Sequence, residues 1–372
     1  MRRSLFETQK ISALIPGLAL ALVVLLLSVL TTKAVGYFLP WEKSPLSPML
    51  VAIVLGLIIR MIVPLPQSFN AGIAFGVKKL LRFGIILMGI RLSIFVVLEI
   101  GLLSLGMVVL CIVSALIATM FIARRLGVSE TLGTLIAAGT SICGVSAIVA
   151  MSPAINAKEE ETTYAVGTIT IFGILATITY PYLTELVMHL PVTSAGFFLG
   201  TSIHDTSQVT AASLVYDQLW SLKAANGVTG ADIAITTKLV RNTFMIVVIP
   251  FLGFWFGRKN ACQTSGTRIQ IMKYVPLFVF GYIAMGIVRT LGDHIFGPES
   301  AAWSSTWHAV KSLATYTIAV AITCVGLSTD IRKLSRLGYK PFICGLVAAL
   351  TVGIVSWLMV VQWGHYLTLG RG

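Results

Sequence analysis

Charged side chains are what this chain of 372 residues has least of: Asp, Glu, Lys and Arg make up 11% of it. An ordinary soluble domain carries roughly 25%. With 56% hydrophobic residues and a mean hydropathy of +0.91, this scarcity excludes a soluble globular fold. No polar stretch is long enough to form a separate soluble domain. Cysteine is also sparse. Cys111, Cys143, Cys262, Cys324 and Cys344 are odd in number, lie mostly in apolar segments and lack metal-ligand spacing. They read as small packing residues, not as a disulfide framework or a metal site. No GxxxxGK[ST] loop and no HExxH pair occur, so direct ATP hydrolysis and zinc hydrolysis are not expected. Acidic residues number only 14 against 27 basic ones. The basic residues are scattered over short loops, which marks membrane topology and not nucleic-acid binding.

What the chain does have is apolar runs of about 20 residues, each long enough to cross a bilayer as a helix. Such runs are expected at 11–32, 46–63, 80–98, 101–123, 158–181, 231–256, 270–291, 308–327 and 340–363, with broken segments at 129–153 and 194–216. The reading is an all-α polytopic membrane protein of 9–11 spans forming one domain over 1–372. An extra first span at 11–32 would precede two halves, 46–181 and 194–363, with breaks at 139–146 and 200–208. The first run is longer than a signal-peptide core and has no clear cleavage site after it, so it reads as retained. Five basic groups fall on one side if the N-terminus is cytoplasmic: Arg2, Arg3 and Lys10; Arg60, Lys78, Lys79 and Arg82; Arg124 and Arg125; Arg258, Lys259, Arg268 and Lys273; Arg332, Lys333, Arg336 and Lys340. That orientation satisfies the positive-inside rule and leaves the C-terminus outside.

The two broken segments nearly repeat each other. GTSICGVSAIVAMS (Gly139–Ser152) and GTSIHDTSQVTAAS (Gly200–Ser213) agree at seven of fourteen positions. Backbone at membrane depth leaves the helix only where protein or water satisfies its polar groups. Two matched, hydroxyl-rich breaks therefore point to a transporter's binding site and to inverted repeats. Whether they cross the membrane or dip in and return stays open; opposed breaks meeting near the midplane fit repeat symmetry.

At each break a new half-helix presents free N–H groups and a positive dipole end, suited to an oxyanion. Thr140, Ser141, Gly144 and Ser146 in the first break, and Thr201, Ser202, Ser207 and Gln208 in the second, are candidate substrate contacts, with Thr206 beside them. The plainer reading is that these hydroxyls only cap and pack helices. His204 and Asp205 form the sharper pair: ionisable groups at depth are costly and usually functional, and a histidine beside a carboxylate suits a coupling proton. Capping near the surface is the alternative. Lys238 and Arg241 share a helix face, with Asn242 beside Arg241. Arg241 is the candidate substrate counter-charge, unless the helix begins later and Lys238 merely snorkels. Arg91, Arg289, His308 and Lys311 read as anchors at span ends.

These motifs resemble the YeiH-like family of bacterial inner-membrane proteins, commonly labelled sulfate exporters. The resemblance rests on AAGTSICGVSAI (Ala137–Ile148), GTSIHDTSQVTAA (Gly200–Ala212), KLVRNTFM (Lys238–Met245) and GLSTDIRKLSRLGYKP (Gly326–Pro341). The family pattern at the second break is closer to His-Glu, and Asp205 shortens that carboxylate. The resemblance implies a multi-pass inner-membrane secondary carrier with discontinuous helices, distantly similar to bile-acid symporters and cation/proton antiporters.

The expected function is transport, as exporter or exchanger, of a small anion such as sulfate, sulfite or a small sulfonate. Its partners would be the lipid bilayer, the anion, a coupling proton or sodium ion and, by analogy, a second copy in a homodimer. No cofactor, metal or nucleic acid is expected, and the chain is not read as an enzyme. The rivals are a sodium-coupled organic anion carrier or cation/proton antiporter, and an intramembrane hydrolase using Ser207 or Ser202. Adjacent His and Asp suit the hydrolase poorly, because a base is normally oriented by a third group behind it.

Overall fold

The computed structural model describes residues 12–38, 46–224, 227–259, 275–329, 338–364 and 366. Arg2, Arg3, Lys10, Arg268, Lys273, Arg332, Lys333 and Arg336, as well as Cys262 and His365, lie outside them. The topology expectation on those residues, and residues 330–337 of the Gly326–Pro341 motif, fall outside the described residues.

The described residues form helices joined by short turns. In chain order they are α1 (Ile15–Phe38), α2 (Pro48–Ile62), α3 (Gln67–Phe75), α4 (Leu81–Met88), α5 (Ile94–Arg125), α6 (Glu130–Ser141), α7 (Val145–Met151), α8 (Glu159–Tyr182), α9 (Val192–Ser202) and α10 (Thr206–Trp220). Then follow α11 (Gly230–Thr243), α12 (Met245–Lys259), α13 (Leu277–Phe296), α14 (Ala301–Ser328) and α15 (Tyr339–Trp363). Among the described residues, six helices or helix pairs are long and apolar enough to cross a membrane: Ile15–Tyr37, Ile94–Arg125, Glu159–Val187, Gly230–Arg258, Ala301–Ser328 and Tyr339–Trp363. The protein is an all-helical membrane protein.

Four segments differ from the sequence expectation. The runs placed at 80–98 and 101–123 are divided elsewhere: α4 ends at Met88, a tight turn covers Gly89–Arg91, and α5 then runs for 32 residues. Gly101 lies inside α5, since one glycine costs a helix only about 1 kcal/mol. The segment 231–256 is two helices, with Phe244 at the junction. The span expected from 308 starts at Ala301, so His308 and Lys311 lie within α14.

The chain divides into two compact units. The first comprises Met1–Val97, Asp217–Ser221 and Leu277–Arg332. Here α2 and α14 cross backbone to backbone: a Cβ on Gly56 would lie 2.9 Å from Leu327 N, and one on Gly326 would lie 2.5 Å from Ile53 O. Small residues of this kind let helices approach where lipid removes the hydrophobic drive for packing. The α13–α14 corner is tied by Trp303 Nε1, which donates to Asp293 at 2.7 Å, while Arg289 one turn earlier on α13 pairs with the same carboxylate at 2.8 Å.

The second unit comprises Leu98–Tyr216, Leu222–Pro276 and Lys333–Gly372. Its apolar core joins Val108 and Ile112 of α5 to Leu135, Ile136 and Ala138 of α6, Ile148 and Met151 of α7, Ile169 of α8 and Ile249 of α12. Both repeated motifs lie within this unit. Ser129 caps α6 by accepting from Leu132 N, and its hydroxyl reaches Glu161 at the start of α8. Thr229 and Asp232 form a reciprocal capping box that starts α11, which fixes where Lys238 and Arg241 stand along that helix.

Candidate functional site

The two motifs break at the same places. In the first, α6 ends at Ser141 and α7 begins at Val145; in the second, α9 ends at Ser202 and α10 begins at Thr206. Aligned residue by residue, Ser141 matches Ser202 and Val145 matches Thr206. Gly144 and Asp205 are therefore equivalent, each immediately before its second half-helix. They also touch: a Cβ on Gly144 would lie 2.9 Å from both Cβ and Oδ2 of Asp205. Gly144 has φ +64, a left-handed conformation that glycine adopts without steric cost. The two copies thus meet at matched positions, as a pair related by a two-fold axis does.

A helix that stops inside a protein leaves its last carbonyls without intrahelical partners. Here α11 supplies the missing donors. Arg241 donates from Nε to Ser141 O at 2.9 Å, from Nη1 to Thr201 O at 2.5 Å and from Nη2 to Thr140 O at 2.5 Å. Lys238 donates from Nζ to Ile142 O and Ile203 O, both at 2.9 Å, and to His204 O. Thr140 and Thr201 are equivalent, and so are Ile142 and Ile203. Each cation therefore bridges the same carbonyl of both copies. Two positive charges at two helix C-termini also oppose the negative dipole ends there. Both side chains are completely buried. All three ammonium N–H groups of Lys238 are in use, and Arg241 commits all three of its nitrogens to carbonyls.

The hydroxyls nearest the helix ends point inward. Thr140 and Thr201 bond back to carbonyls of their own helices, Ile136 and Phe197, at 2.8 and 2.7 Å. Each also meets one further hydroxyl, Thr119 for Thr140 at 3.3 Å and Ser356 for Thr201 at 2.6 Å. Ser141 and Ser202 likewise donate to Ala138 O and Phe198 O. A hydroxyl has one proton to donate, so these four use theirs inside the fold.

Beyond the breaks the copies differ. Asp205 caps α10: its Oδ1 accepts from Ser207 N at 2.8 Å and Ser207 Oγ at 2.5 Å, while its own N–H donates to Gln208 Oε1 at 3.3 Å. Gln208 also donates to Thr170 O at 3.3 Å, lying across Gly173, where any Cβ would overlap it. The first copy has no side-chain cap at Gly144. Ser146 is exposed there, and Val145, Asp205 and Thr206 are partly exposed. His204 and Asn242 are each 2% exposed. Asn242 Nδ2 donates to Thr206 Oγ1 at 3.0 Å, and the His204 imidazole lies against the Thr140 backbone.

The structure thus brings all thirteen expected residues to one crossing, but in three settings. Lys238 and Arg241 hold carbonyls. Thr140, Ser141, Thr201, Ser202, Ser207 and Gln208 hydrogen-bond within the fold. Gly144, Ser146, His204, Asp205 and Asn242, with Thr206, surround its more open edge. Thr119, Gly173 and Ser356 were not singled out from sequence. A glycine one turn from Thr170 and from Thr177 in an apolar span was the available signal for Gly173, and spans rich in Thr and Ser gave a weak one for the other two.

Deep cations clamping two broken helices in an all-helical, apolar chain define a polytopic membrane protein with a built polar centre. The chain belongs to the family described as Conserved hypothetical protein 698, whose model matches residues 16–345. This is the YeiH-like family that the motifs pointed to. Similar proteins include the UPF0324 membrane protein of Bacillus anthracis, 31% identical over 85% of this chain and 87% of that one. The UPF0324 membrane protein SAG1125 of Streptococcus agalactiae is 31% identical over 93% of this chain and 96% of its own length. A Bacillus cereus relative of the same name is 32% identical over 85% and 87%.

Proposed function

We propose that the protein is a secondary carrier of the bacterial inner membrane that moves a small anion through the crossing of its two broken helices. The observation that carries this reading is the charge at the crossing. Lys238 and Arg241 are both completely buried, and Asp205 is the carboxylate beside them. The dipole ends there, about half a charge each, oppose one another in pairs. With His204 neutral, two positive charges face one negative charge, and a bound anion would complete the balance. Because the cations are held on carbonyls, they would act on the anion through their field and not by gripping it. Contact would come from the open edge, at Ser146 and Thr206, with Asn242 behind. His204 and Asp205 are the groups proposed to carry a coupling proton. Ser207 donates to Asp205 and not to His204, which supports a carrier over a serine hydrolase.

One observation favours a second reading. Asp205 is partly exposed while both cations are engaged, a setting that also suits a sodium ion or proton as the moving species. Flux into proteoliposomes separates the two. Labelled sulfate, methanesulfonate and chloride would be offered alongside labelled sodium, under imposed gradients and without ATP. Saturable uptake of one anion class is expected. Sodium or proton movement with no anion flux would replace the first reading by the second.

A further inference from the structure

The crossing has buried polar atoms still without partners among the described residues. Asn242 uses Nδ2 on Thr206 and leaves Oδ1 free, and His204 leaves Nδ1 free. Buried polar atoms normally have a partner. Both residues border the Asp205–Thr206 stretch, where the second break is partly exposed. Lys238 has no N–H left for a ligand, because its three donors are taken by Ile142, Ile203 and His204.

From this arrangement we infer that the occupant is an oxyanion of single negative charge, and that Asp205 sets this limit. The inference rests on the anion-carrier reading. A singly charged head meets one surplus positive charge, and where it keeps a proton its hydroxyl can donate to Asn242 Oδ1 or His204 Nδ1, which are both acceptors while the neutral imidazole bonds through its other nitrogen. A dianion brings a second charge that no free cation matches. Its approach along the open edge is toward the Asp205 carboxylate, which Ser207 holds in place from one side.

Sulfate and methanesulfonate are a suitable pair of probes. They present the same three sulfonyl oxygens, and a methyl group in one replaces a charged oxygen in the other. Binding of each to the purified full chain would be measured at one pH and ionic strength, in wild type, Asp205→Asn and Thr206→Asp. Wild type is expected to prefer methanesulfonate. Asparagine caps helices about as well as aspartate, so Asp205→Asn should keep α10 while removing the charge. The ratio of sulfate to methanesulfonate affinity should then rise more than tenfold, as expected for one unit charge about 8 Å away in a medium of effective dielectric about 20. Thr206→Asp adds a carboxylate where a helix start tolerates one, and should weaken methanesulfonate more than tenfold. A wild type that prefers sulfate, or ratios unchanged in a folded Asp205→Asn, would overturn the single-charge limit and leave the anion reading standing. Methanesulfonate affinity unchanged in Thr206→Asp would overturn it as well. If neither anion binds wild type, the anion-carrier reading fails first and takes this inference with it.

Discussion

Gly144 and Asp205 stand at the same place in the two copies of one motif, and they stand against each other. The first copy has a bare turn there: φ is +64, no side chain caps α7, and Ser146, the second residue of that helix, is exposed. The second has a carboxylate, a bonded serine and a glutamine bolted to α8. Upstream, the copies behave alike, down to equivalent carbonyls held by the same cation. Symmetry is kept where two helix ends must be closed and abandoned where a ligand could approach. With carboxylates on both sides the crossing would have no surplus charge. A glycine on both sides would leave α10 without its carboxylate cap.

The comparison can be broken most severely through the shared clamp. Lys238→Met would leave the carbonyls of Ile142, Ile203 and His204 without their donor, and each buried unsatisfied acceptor costs about 1–3 kcal/mol. A loss of about 3 kcal/mol or more is expected, read as a large drop in the melting temperature of detergent-purified protein or a loss of folded yield. Arg241→Met should behave similarly, because it serves both copies in the same way. A wild-type melt in either variant would mean that the clamp does not hold the breaks.

A middle-sized effect is expected from the asymmetric pair itself. Gly144→Ala puts a Cβ 2.9 Å from Asp205 and holds an alanine at φ +64 and ψ −124, a region that suits glycine, at about 1–3 kcal/mol for the conformation alone. The reverse asymmetry is the sharper check: Asp205→Gly removes the α10 cap and should cost only a few tenths to about 1 kcal/mol. Equal losses in the two variants would deny that the copies are finished differently.

The smallest effect distinguishes the matched serines. Ser207 is 7% exposed and bonded to Asp205, so Ser207→Ala should cost about 1 kcal/mol. Ser146 is exposed, and Ser146→Ala should stay within about 0.5 kcal/mol. Chemical melts of the two variants side by side would show the difference or its absence.

Much of this was legible before the fold. Matched runs of Gly, Ser and Thr in apolar sequence marked both breaks, because only a relieved backbone explains them at membrane depth. The depth of Lys238 and Arg241 followed from their place in a long apolar segment. Their partners did not. A spacing of three residues puts two side chains on one face, but it is silent about what that face meets, and here it meets carbonyls that every residue has. Backbone acceptors leave no mark in a sequence. The same holds for Gly173, whose importance comes from a glutamine 35 positions later in the chain. The start of α5 was misplaced because its boundary lies at Leu92 and Ser93, ordinary residues, while the more conspicuous Gly101 lies inside the helix. The long α14 was expected to begin only at His308, although Trp303 and Trp307 before it already occupy helix.

In the proposed function a small anion occupies the open edge of this crossing. The direct measurement is the rate at which a thiol reagent modifies Ser146→Cys, with and without anion. The native cysteines described here, Cys111, Cys143, Cys324 and Cys344, are buried, and Cys262 would be replaced by serine. A saturating anion that raises the melting temperature of the protein should slow modification several-fold, while sodium should not. An unchanged rate in the presence of an anion that stabilises the protein would place the ligand elsewhere and rule out the open edge as its site.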